Sequence, residues 1–216
     1  MGSGSGKLEA EASMAVTNGY VSLTLVKKAL RITDNIDDDI LELSIEAASR
    51  EIDGYCERVF YQTTETRVFI PEDSFTCRID DLVSLTTLKT SSTGDTFDVT
   101  WNAATDAQLE PNNGIAGGIV SPFTRIRAIG DYVFPTWIAQ NVNHYEATVQ
   151  VNGTWGWPAI PTAVEQAALL LTLRQYRRYD SPLGVAGFDE MGVVRVGRID
   201  PDVQKLLNPF RKVFMA

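Results

Sequence analysis

Apolar positions recur with a helical period at both ends of the chain and with a period of two between them. Ser22 stands where a helix cap is expected, and Leu23, Val26 and Leu30 follow at spacings of three and four. This predicts a short helix with Lys27 and Lys28 near its C-terminal end, where cations suit the dipole. A long helix is expected next, over about 37–60. Ile40, Leu43, Ala47, Ile52, Cys56 and Val59 read as its buried face, widened by Ala48 and Tyr55. Glu42, Glu46, Arg50, Glu51, Asp53, Glu57 and Arg58 supply its wet side, with Glu46 and Arg50 in the favourable order for a pair one turn apart. Gly54 costs about 1 kcal/mol against Ala in a helix interior, so it marks either close packing, including a contact between ring subunits, or simple tolerance.

After Phe60 the period changes to two. Strands are expected over 66–70, 75–79, 82–89, 97–101, 123–129 and 145–151, with 104–122 mostly loop and Asn152-Gly153 as a closing turn. Such alternation suits a half-buried antiparallel sheet with one solvated face. The helical period resumes at Thr162, which with Glu165 fits a capping box. Val164, Ala167, Ala168, Leu171 and Gln175 lie along one side of this helix. Leu169, Leu170 and Leu173 make it apolar on more than one side, which suggests contact with more than one partner helix. Arg174, Arg177 and Arg178 end it, and Asp180-Ser181-Pro182 stops it. The Gly-rich stretch 184–197 reads as a mobile loop or a β-arm made for a partner. A short helix from Asp200 or Pro201 covers Val203, Leu206 and Leu207 and is broken by Asn208-Pro209.

The fold class read from this order is α+β: a helical bundle domain interrupted by an antiparallel β insertion. The helical domain would comprise 20–61 and 155–216, ending in a C-terminal arm, because each of its helices has a face to bury. The insertion would be 62–154. Residues 1–19 would be a flexible leader, in which MGSGSGKLEAEAS is either an expression scar, with the natural start at Met14, or a natural arm.

Composition narrows the function. With 44% hydrophobic residues among 216, the chain is too apolar for wholesale disorder, and no apolar run is long enough for a membrane span, so no membrane partner is expected. The net charge of -9 argues against a non-specific DNA-binding surface. The balance is uneven: 6 basic against 11 acidic residues over 1–60, 5 against 11 over 61–160, and 8 against 6 over 161–216. Only the last part is basic. Arg174, Arg177, Arg178, Arg195 and Arg198 are therefore candidate inter-subunit contacts, meeting the acidic surface of a neighbouring copy in a ring.

Catalytic chemistry is not evident. The run Asp34–Asp39 has Asp39 where a calcium loop would need Gly, and reads as an acid-rich helix start. Cys56 and Cys77 do not make a disulfide framework and read as buried free thiols. His144 is the sole histidine, and no metal-ligand spacing, phosphate loop or nucleophile elbow occurs. Asp80-Asp81 reads as solvated surface. Trp155 and Trp157, spaced by one Gly, would suit ligand stacking but more often pack a crossing chain. No catalytic residue, metal site or cofactor is assigned, and the chain is not read as an enzyme.

Two segments carry a family resemblance. SLTLVKKALRITDNIDDDILELSIEAASREIDGYCERVF, within Val21–Phe60, resembles the N-terminal part of tailed-phage head-tail connector proteins (adaptor, or head-completion, proteins). WGWPAIPTAVEQAALLLTLRQYRR, Trp155–Arg178, resembles the same family's aromatic-Pro and long-helix pattern. The resemblance implies an adaptor in the virion neck, assembled in the host cytoplasm. It would form a ring, commonly a dodecamer, beneath the portal protein. Double-stranded DNA would pass non-specifically through its channel, and a downstream neck or tail protein would dock on it. The family's C-terminal segment often engages the portal, which points here to Phe210, Arg211, Lys212, Val213 and Phe214. Phe210 and Phe214 would share a helical face, docking a partner; the alternative is that they cap the subunit's own core. Acidic walls would keep DNA from sticking, with Glu42, Glu46 and Glu57 as channel-facing candidates. The other readings are a stopper or tail terminator, or a soluble enzyme or regulatory binding module.

Overall fold

The computed structural model describes residues 16–92, 96–136, 147–179 and 200–212. The expectations for 1–15, the 184–197 stretch, His144, Arg195, Arg198, Val213 and Phe214 lie outside them. Among the described residues, four helices and an antiparallel sheet form the α+β arrangement expected from the periodicity. Helix α1 is Leu23–Leu30, its N–H groups capped by the Ser22 hydroxyl, which accepts from Leu25 N at 3.2 Å. Helix α2 is Asp38–Cys56, with Asp38 and Asp39 in its first turn. Helix α3 is Thr162–Tyr179 and α4 is Pro201–Leu207. Thr162 lies inside α3 rather than before it; the Pro161 carbonyl accepts from Glu165 N at 3.0 Å in the place given to a capping box.

The α2 face read from the sequence is rotated. Leu41, Ile45, Ala48, Ile52 and Cys56 are the buried apolar positions, whereas Leu43 and Ala47 are exposed. Two apolar stripes run along this helix, and the one chosen from the sequence combined Ile52 and Cys56 of the inner stripe with members of the outer one. Arg50 likewise pairs with Asp53 at 3.2 Å rather than with Glu46.

The strands are β1 Thr63–Phe69, β2 Thr76–Thr90, β3 Val99–Trp101, β4 Ala107–Glu110, β5 Ile115–Ala116, β6 Ile119–Val120, β7 Phe123–Ala128 and β8 Val149–Trp155. The main sheet runs β1-β8-β2-β7-β4, with β3 also on β2, and all its pairs are antiparallel. The two strands expected at 75–79 and 82–89 are one long β2, because register irregularities near Arg78–Leu82 bend it without ending it. Asn152-Gly153 is not a turn: both residues pair within β8, between β1 and β2. Within the expected loop 104–122 lie β4 and the separate β5–β6 hairpin.

Two buried clusters result. One is helical and gathers Tyr20, Val26, Leu41, Ile45, Ile52, Phe60, Trp157, Val164, Leu171, Val203, Leu207 and Phe210. The other lies on the sheet and gathers Cys77, Leu82, Leu88, Trp101, Ile126, Val149, Val151 and Trp155. Gly156 separates the two tryptophans. It has φ +109, and a Cβ there would lie 2.0 Å from the Tyr61 carbonyl oxygen, so only glycine makes this passage without strain. Trp155 enters the sheet cluster and Trp157 the helical one, which makes the pair a structural joint rather than a stacking site.

Candidate functional site

The C-terminal arm returns to the junction between the two clusters. Asp200 caps α4, accepting from Asp202 N at 2.9 Å, and Pro201 takes the first helical position. Val203 and Leu207 enter the helical core, and a 3-10 turn, Asn208–Phe210, follows. Phe210 is 2% exposed. Its ring lies 5.9 Å from Phe60 and 5.5 Å from Trp157, both edge-on. The β5–β6 hairpin closes over it. A Cβ on Gly117, at φ +60, would sit 2.5 Å from the Phe210 ring, so the hairpin turn and this side chain are fitted to each other.

This corrects the role read for Phe210. It is an internal anchor of the arm and not a free docking face, because the aromatic cluster of its own subunit already solvates the ring. The 3-10 turn ends after Phe210, where Arg211 is extended at φ -67, ψ 130.

Beyond Phe210 the chain is tied by polar contacts. Lys212 N donates to the Cys56 carbonyl at 2.9 Å, filling one of the acceptors left open where α2 ends. Tyr55 donates its hydroxyl to Asn208 Oδ1 at 2.6 Å, and the exposed Arg211 guanidinium lies 5.7 Å from the Tyr55 ring centroid. Lys212 Nζ is 3.5 Å from Asp80 Oδ1 and 4.0 Å from Asp81 Oδ1.

Asp81 was read as surface, yet it is 4% exposed. Trp157 Nε1 donates to its Oδ2 at 3.2 Å, and Arg58 stands 3.6 Å away with its guanidinium over the Trp157 ring. Oδ1 has no hydrogen-bond partner. Burial raises the Asp81 carboxyl above the ordinary value of 3.8, against the opposing pull of Arg58, Lys212 and the indole N–H. Asp53 is raised for the same first reason, with the Tyr20 hydroxyl donating to it in opposition. The groove beside these groups, about 510 Å³, has walls of both charges: Asp53, Glu57 and Asp80 against Arg58, Arg67 and Lys212. Several of these charges neutralise one another, which suits a structural joint better than a reaction centre.

The remaining candidates are dispersed. Arg177 and Arg178 are exposed at the end of α3, while Arg174 is half-buried. Glu42 and Glu46 are half-buried one turn apart on α2; Glu57 is exposed and adopts the left-handed conformation just past that helix. They do not form one continuous acidic row. Sequence reasoning missed Asp81 and Arg58. A signal was present in the adjacent pair Asp80-Asp81 on an alternating strand, where one of two neighbours must face inward.

Residues 20–90 match the model of a family described as phage gp6-like head-tail connector protein. The match spans the whole of the first segment that carried the resemblance. No curated protein matches the chain. Among solved structures, a chain in the neck of an empty GTA particle computed with C6 symmetry is similar at TM-score 0.58 and 16% identity, covering 94% of this chain and 95% of that one. A chain in the neck of a native GTA particle computed with C12 symmetry gives 0.56 and 17%, covering 94% of each. A chain of the virion of a native gene transfer agent particle gives 0.51 and 19%, covering 94% and 95%. The likeness to these structures is one of fold and runs through helices and sheet alike.

Proposed function

We propose, from the match of residues 20–90 to the gp6-like head-tail connector family, that the protein is a structural, non-enzymatic component of a phage neck: an adaptor that forms a ring under the portal and extends the DNA channel. The observation that carries this reading is the fold shared over 94% of the chain with subunits of a particle neck. The adaptor is favoured over a stopper or tail terminator by the two connector-like helical segments that bracket the sheet. The acidic net charge of -9 suits a wall along which DNA slides without being held.

The arm has two parts in this reading. Phe210 and Lys212 hold it to its own subunit, and Arg211, Val213 and Phe214 meet the portal. A downstream neck or tail protein docks on the ring's far side. The test is a native mass and electron-microscopy measurement of the full chain, alone and with the portal protein of the same phage. The reading expects closed rings with a channel wide enough for duplex DNA. A strict monomer under both conditions would contradict it.

A further inference from the structure

Both long helices carry an outer strip that this subunit leaves partly open, apolar on α2 and mixed on α3. On α2, Leu43 is 60% exposed and Ala47 is exposed, with half-buried Ile40 one turn earlier. Ile36, 82% exposed, precedes them. The spacings of three and four put Ile40, Leu43 and Ala47 along one strip distinct from the buried stripe on the same helix, with Ile36 in the turn before it. On α3, Leu170 is 37% exposed and lies in line with exposed Gln166 and Arg177, while Leu173 between them packs partly against the subunit's own helical core. Large apolar side chains left in a row on a helix mark an interaction surface rather than random exposure.

The flanking charges say what each strip meets. The α2 strip starts among Asp34, Asp38 and Asp39. The α3 strip ends at Arg177 and Arg178, neither of which makes an ion pair among the described residues. The two helices are antiparallel. Trp157, just before α3, packs on Phe60 beyond the end of α2, and Tyr176 near the end of α3 donates to Asp37 Oδ2 at the start of α2. The acidic start of one strip and the basic end of the other therefore lie at the same end of the bundle. A rotation about an axis along the bundle would bring them together at equal height.

From this we infer that the outer strip of α2 on one copy docks against the outer strip of α3 on the next, with Asp34 and Asp39 facing Arg177 and Arg178. The contact joins two different surfaces of one chain, a heterologous geometry that closes into a ring when the rotation between copies closes. The inference rests on the ring proposed above and assigns its subunit contact.

Two variants test it. Arg177→Glu with Arg178→Glu makes both strips acidic; Asp34→Lys with Asp39→Lys makes both basic at their charged ends. All four residues are exposed, so each variant should stay folded, with a thermal midpoint lowered only slightly by the reversed charges at the helix ends. Each alone should need at least about tenfold more protein for half-assembly, because like charges are set opposite each other. An equimolar mixture should recover assembly, since alternating the two variants restores opposite charges at every contact. Assembly is read by native mass and sedimentation, with the portal added if the wild type requires it. If the wild type forms rings and either variant alone does so equally well, or the mixture fails to recover, the assigned contact is wrong and the ring stands. If the wild type forms no ring with or without portal, both fall.

Discussion

The two clusters of this molecule are built in opposite ways. The sheet core is drawn from one continuous stretch, between Phe69 and Trp155, although within it most strands pair across long separations, β1 and β2 with β8 and β2 with β7. The helical core takes Tyr20 from one end of the chain and Phe210 from the other. It is complete only when the arm has come home, and its last large side chain is covered by a hairpin that belongs to the sheet-rich stretch. The sheet region can thus close by itself, whereas the helical region depends on a distant piece of sequence. That dependence couples the order of the helical core to the seating of the arm.

The sharpest way to break the contrast is Phe210→Ala. Loss of this buried ring should cost about 3–5 kcal/mol. The cost should fall on the helical core, seen as loss of helical signal at a denaturant concentration where the sheet survives. A single unaltered transition would show the two cores to be one unit. Next in size is Gly156→Ala at the joint. A non-glycine residue forced to a strained φ costs about 1–3 kcal/mol, and here a backbone oxygen also obstructs the new methyl. Chemical denaturation should show both cores weakened together, unlike the Phe210 variant.

A smaller effect is expected in pH. The folded-state value of Asp81 is raised by burial, so its contribution to stability is fully present below about 3.8 and is lost as pH rises through the folded value. Wild-type stability should therefore gain on that of Asp81→Asn as pH falls from neutral toward 4, measured by denaturation at each pH. An unchanging gap would mean that the carboxyl is not held out of water. The smallest perturbation is thiol labelling. Burial pushes Cys56 and Cys77 each up to about 12, so both should resist a thiol reagent in the native state. Cys56, whose carbonyl holds Lys212 N, should become reactive at lower denaturant than Cys77 in the sheet.

Much of this architecture was legible in the chain. The change of period after Phe60 and back at Thr162 reports burial on one side of a sheet and of a helix, which are local properties. The short helix α4 followed from Asp200, Pro201 and Asn208-Pro209, whose capping and breaking are local as well. What could not be read was choice among equivalents. Helix α2 has two apolar stripes, and only tertiary packing decides that Leu41 and Ile45 go inward while Leu43 goes out. Gly153 looked like a turn because a preceding Asn usually makes one, but pairing on both sides keeps β8 straight through it. The seat of Phe210 depends on Gly117, far away in sequence, and no periodicity links the two.

We propose that this fold serves as a ring in a phage neck, and imaging the full chain mixed with the portal protein of the same phage tests this most directly. The account predicts a joint particle in which copies of this chain form a closed ring coaxial with the portal and open along the DNA path. Portal particles left bare, with this chain dispersed in solution, would contradict it.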